Sequence, residues 1–74
     1  MMWDRWLMTE RDGMQEFTPY KPHEDGSFDV VLGMCLVTSK EEIIKRGAVK
    51  IVQVDNIYDL TNPHIIHDTT ELKE

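Results

Sequence analysis

Cysteine is almost absent: Cys35 is the only one in the chain. No intrachain disulfide can form, which excludes a disulfide-stapled secreted scaffold. Long apolar runs are missing too. The longest stretch built only of apolar residues and glycine is 30–37 (VVLGMCLV), far short of the roughly 20 residues a membrane-spanning helix needs. The opening Met1-Met2-Trp3-Asp4-Arg5-Trp6 has no charged region followed by an apolar core, so it does not read as a signal peptide. A cytoplasmic setting without a membrane partner is the expectation.

Basic charge is also scarce. Eight Lys and Arg face fourteen Asp and Glu, for a net charge of −6. Direct binding to nucleic acid is disfavoured, because there is no cationic surplus to neutralise phosphates. The imbalance is uneven: residues 39–50 carry +2 and residues 51–74 carry −4. Such acidity serves solubility, and it also suits a basic partner protein.

Catalytic signatures are missing as well. The chain has no glycine-rich phosphate loop, no G-x-S-x-G, no paired C-x-x-C and no D-x-D-x-D-G calcium loop. With 74 residues, folding buries only about 60% of the open chain's surface. That makes one thin core and no deep pocket. Neither an enzyme nor a bound cofactor is expected.

Turn punctuation, by contrast, is plentiful. Asp12-Gly13 and Asp25-Gly26 each separate segments of strand-like composition, and glycine supplies the positive φ such turns need. Residues 3–10, 14–20 and 28–38 then read as a three-stranded antiparallel meander. The Met2/Trp3/Trp6/Leu7 spacing also suits a helical turn, but closeness to the first Asp-Gly favours a strand. Pro19 and Pro22 should stop the second strand or place it at an edge. The third is apolar on nearly both faces, as a central buried strand would be, and Gly33 within it points to a bulge. In that setting Cys35 reads as a small core hydrophobe.

Ser39-Lys40-Glu41-Glu42 has the spacing of a helix-capping box, and Gly47 suits the left-handed end of the same short helix. Residues 48–54 return to strand composition, and Ile57-Tyr58-Asp59-Leu60 reads as a further short extended piece. The implied fold class is α+β. It is a small antiparallel sheet, a meander plus a fourth strand, with one short helix over a face of a strongly bent sheet or an end of a small, partly open barrel. The chain is expected to be one domain, 1–74, with 60–74 an extended or partly helical docking tail.

Three functions remain in play. The leading one is a non-enzymatic protein-binding module, an acidic inhibitor or modulator of a basic, nucleic-acid-binding partner protein. Its candidate contact residues are Trp3, Trp6, Tyr20, Asp55, Tyr58, Asp59, Asp68 and Glu71, aromatic anchors beside carboxylates. Trp3 and Trp6 fall on opposite faces of an extended strand, so one is expected in the core and one outward. The second is a homo-oligomeric subunit pairing through an edge strand and the tail. The third is a metal-dependent catalyst. His64 and His67 share a face if 64–68 is helical, with Asp68 or His23 as third ligand, and point to opposite sides if it is extended.

Overall fold

The computed structural model describes residues 3–58 and 62–69. Among them the chain forms six strands, a 3₁₀ turn and a single short helix. The strands are β1 (Arg5–Arg11), β2 (Met14–Pro22), β3 (Phe28–Val30), β4 (Leu36–Val37), β5 (Lys50–Gln53) and β6 (His64–Asp68), with helix α1 at Lys40–Lys45. The result is a small, sheet-dominated domain. Its sheet is mixed and open, in the order β3-β2-β1-β5-β6, with β4 also on β2; it does not close into a barrel.

The first hairpin is set by its turn. Asp12 (φ 55°) and Gly13 (φ 78°) both occupy the left-handed region, and Arg11 pairs with Met14 across them. Two positive-φ residues give the twist that matches paired strands. At the second Asp-Gly, Gly26 has φ 94°. The Asp25 carboxylate accepts from the Ser27 amide at 2.9 Å and from the Ser27 hydroxyl at 2.6 Å.

Contrary to expectation, β2 runs through Pro19 to Pro22 and lies inside the sheet. The Pro19 carbonyl accepts from the Val31 amide, on the flank away from β1. Its nitrogen faces the same flank, where the pairing with β3 and β4 is interrupted. A residue without a donor fits at that gap.

A three-stranded meander describes residues 3–38 only imprecisely. Residues 28–37 do run antiparallel to β2, but a 3₁₀ turn at Leu32–Met34 splits them around Gly33. Nor is this segment central or doubly buried. It forms the sheet's edge, with Leu32 54%, Met34 44% and Val37 57% exposed, and Cys35 is exposed rather than in the core. The central strand is β1, whose run Trp6-Leu7-Met8 is buried on both faces.

A second departure from the all-antiparallel expectation is β5, which pairs parallel to β1, Trp6 opposite Ile51 and Leu7 opposite Val52. Helix α1 carries the chain to that side. Ser39 Oγ accepts from the Glu42 amide at 3.2 Å, as the capping spacing requires. At the other end the Gly47 amide bonds to the Ile44 carbonyl and the Ala48 amide to that of Ile43, with Gly47 at φ 104°. This double bond pattern is a Schellman closure, and buried Ile43 and Ala48 join one cluster as its apolar contact.

Two apolar clusters sandwich the sheet. Beneath α1 lie Trp6, Met8, Phe17, Ile43, Ala48 and Ile51. On the opposite, outer face Leu7, Val52 and Val54 are covered by Tyr20, Phe28, Val30 and Ile57. Trp3 and Trp6 do not take opposite sides. Trp3 precedes the strand and packs half-buried on the cluster that contains Trp6, because the chain before Arg5 has left the alternation of β1. Its carbonyl accepts from Trp6 Nε1 at 3.0 Å.

Of the expected tail, His64–Asp68 dock on the chain's own sheet as β6, antiparallel to β5, and 60–61 and 70–74 lie outside the described residues. Ile57 and Tyr58 form a turn rather than a strand, with the Tyr58 amide bonded to Asn56 Oδ1 at 2.8 Å; Asp59 and Leu60 lie outside the described residues.

Candidate functional site

The outer face of the sheet carries the candidate site. On β1 the side chains of Arg5, Leu7, Thr9 and Arg11 alternate onto it. On β2 their neighbours are Tyr20, Thr18, Glu16 and Met14, in the registers Leu7–Thr18, Thr9–Glu16 and Arg11–Met14. Cross-strand pairing fixes this set, and the hairpin turn fixes the pairing.

An open cleft of about 490 Å³ lies beside these strands, lined in part by Thr9 and Thr18. Leu32 and Cys35 of the 3₁₀ segment form part of its wall, as do Asp55, Asn56 and Ile57 from the turn after β5. Of its charged lining residues, Glu16 and Arg11 project onto this face and Asp55 joins them from the turn, while Glu10 alternates to the other side of β1; Arg11 Nη2 already lies 3.6 Å from Glu16 Oε2. Asp55 accepts from Asn62 Nδ2 at 3.5 Å. The cleft is therefore largely polar and of net negative charge, with Leu32, Cys35 and Ile57 as its apolar members.

Ile57 also walls a second, smaller recess of about 230 Å³, completed by Gly26, Ser27, Phe28, Val30 and Tyr58. The Phe28 ring meets Tyr20 edge-on, centroids 5.9 Å apart, a favourable arrangement for an aromatic pair. Burial pushes the Tyr20 hydroxyl above its ordinary value of 10.0, and the neighbouring Arg5 guanidinium partly offsets the rise by charge and hydrogen bond.

Of the residues picked out in the sequence, Asp55 lines the cleft and Tyr58 the recess. Tyr20 supports that face from below Phe28. Trp6, at 3% exposure, has no surface to offer a partner, and Trp3 lies on the helix side of the sheet. Asp68 pairs with Lys50 at the far end of the outer face, and Asp59 and Glu71 lie outside the described residues. Pattern reading missed Leu32, Glu16 and Ile57. The available signal was Gly33, whose position within an apolar run marked where the strand breaks.

The histidines are arranged differently from either expectation. A bulge in β6 sets Ile65 opposite Val52 and His67 opposite Ile51. His64 and His67 thus oppose Gln53 and Ile51, two residues apart on β5, and share the helix-side face although the segment is extended. Asp68 falls on the other face, opposite Lys50. Among the described residues no three His, Cys, Asp or Glu side chains group as a metal site requires. His23 pairs instead with Asp29, Nε2 to Oδ2 at 2.9 Å. Among the described residues, too, no helix is long and apolar enough to cross a membrane.

No protein-family model, curated protein sequence or solved structure matches the chain.

Proposed function

We propose that the chain is a non-enzymatic protein-binding module that takes a basic segment of a partner protein into the outer-face cleft. One observation carries the reading: the Glu16 and Asp55 carboxylates outnumber a single, already paired arginine at a cleft that also carries Leu32 and Ile57. Charge complementarity of this kind selects a cationic ligand and speeds its encounter, and the apolar members accept the aliphatic stems of lysine and arginine. The volume falls in the range of ordinary ligand clefts, about 300–1,000 Å³. Surfaces that bind phosphates are rich in such basic segments, so the module acts as an inhibitor or modulator of a nucleic-acid-binding partner by occupying that surface.

Cys35 supplies a built-in reporter, since the only thiol in the chain is exposed and lines the cleft. A nine-residue peptide of alternating Lys and Ser should slow Cys35 modification by a maleimide at low ionic strength and lose the effect at high salt. Glu16→Lys with Asp55→Lys should abolish this protection. Glu24→Lys with Glu41→Lys, the same charge change at exposed positions outside the cleft lining, should retain it. A Cys35 reaction rate unmoved by millimolar peptide overturns the reading.

A second reading has one observation in its favour. Strand β6 ends the sheet and presents Ile65, 57% exposed. A second copy pairing there would make the chain a homo-oligomeric subunit. Light scattering at micromolar concentration tests it, and an 8.7 kDa particle rules it out.

A further inference from the structure

Two concavities sharing one wall, one acidic and one apolar, imply a ligand with two kinds of anchor. We infer that the segment bound by this module is bipartite: basic residues lie over Glu16 and Asp55, and one large aliphatic side chain inserts beside Phe28, Val30 and Tyr58. The inference rests on the basic-segment reading and adds to it the identity of the second anchor.

The geometry supports this in three ways. Ile57 lines both the cleft and the recess, so the two concavities lie on either side of one residue, within reach of a single bound segment. The recess, at about 230 Å³, is below the usual range for a whole small-molecule site, about 300–1,000 Å³, and is of a size for one side chain. Its lining carries no charged residue and includes Tyr58, 68% exposed. Large apolar side chains left in water beside a polar rim mark interaction surfaces.

The fold also sets the mode of recognition. The flank of β2 nearest the cleft is already paired with β3 and β4, so an incoming segment cannot add itself to that strand as a further ladder. It is read by its side chains in the two concavities, and its specificity comes from the spacing between the basic and the aliphatic residue.

The test uses the whole chain and a peptide set. The parent is the alternating Lys-Ser nonapeptide; in each other member a single Leu replaces one Ser, moved along the sequence. Affinity is read by fluorescence anisotropy, and Cys35 protection confirms the place of binding. At one position or two adjacent ones Leu should tighten binding about tenfold, as burial of one aliphatic side chain implies. Tyr58→Ala should remove that gain and leave the parent peptide's affinity unchanged. Because the Tyr58 side chain is exposed and its amide bond to Asn56 is a backbone contact, this variant keeps the fold. If every Leu peptide binds within twofold of the parent, or the gain survives Tyr58→Ala, the bipartite inference falls while the basic-segment reading stands. If the parent itself leaves Cys35 unprotected, the basic-segment reading falls first and takes this inference with it.

Discussion

At the scale of single residues, the two tryptophans show how one buried polar atom decides a role. Trp6 fills the cluster under the helix, and its indole N–H would be orphaned there without the Trp3 carbonyl. Trp3 contributes that bond through its backbone, and its ring only covers the cluster's edge. Trp6→Ala should therefore cost roughly 3–5 kcal/mol. A domain of this length has only about 4–11 kcal/mol in total. Trp3→Ala keeps the carbonyl and should cost about half as much. Urea denaturation separates them, and equal losses would contradict this division of labour. Asp25 offers a gentler probe. Hydrogen bonds from the Ser27 hydroxyl and amide hold its carboxyl below the ordinary 3.8. A carboxylate with a lowered folded value stabilises above the unfolded value, and its contribution disappears as pH falls through the folded one. Ser27→Ala should move the Asp25 titration upward toward 3.8 by NMR. An unchanged titration would mean that the hydroxyl bond is not formed in solution.

At the scale of elements, helix α1 is the sharpest case, because six residues cannot hold a helix in water unaided. Its stability comes from Ile43 in the core and from caps at both ends. Ser39→Ala removes the side-chain acceptor for the Glu42 amide and should cost about 1 kcal/mol, a fall in Tm of roughly 4–8 °C. A thermal melt displaced by less than a degree would show that the cap carries no weight. The helix and the first hairpin were legible in the sequence for the same reason. Each is fixed by chemistry within a few residues, the Ser39 and Gly47 ends in one and Asp12-Gly13 in the other. Sheet order was not legible. The apolar run at 30–37 says that burial is wanted without saying where, and β1 takes the centre because a parallel partner reaches it from residues 50–53. The β6 bulge was equally hidden, and it reversed the expected sides of His64 and His67. The cleft was half legible: Asp55 and Tyr58 stood out as charge and aromatic. Leu32, Glu16 and Ile57 become neighbours only after three distant segments converge.

At the scale of the whole molecule, the net charge of −6 acts on stability and on binding with opposite signs in salt. Surplus charge of one sign repels itself in the compact state. Screening sets in as the Debye length shrinks to about 10 Å at 0.1 M. The ion pairs Arg11–Glu16 and Arg46–Glu42 are solvent-accessible, so salt removes little favourable energy with them. Raising NaCl from about 20 to 300 mM should thus raise Tm by roughly 2 °C, equivalent to about half a kcal/mol. Capture of the Lys-Ser peptide should weaken severalfold over the same range, because attraction across the cleft is screened as self-repulsion is. The opposed directions make the pair of measurements decisive. Weaker binding at high salt cannot then be blamed on unfolding, since the protein is more stable where it binds less. A Tm that falls with added salt would show that local attractions outweigh the global surplus. The acidity would then be balanced within the fold rather than held available for a partner.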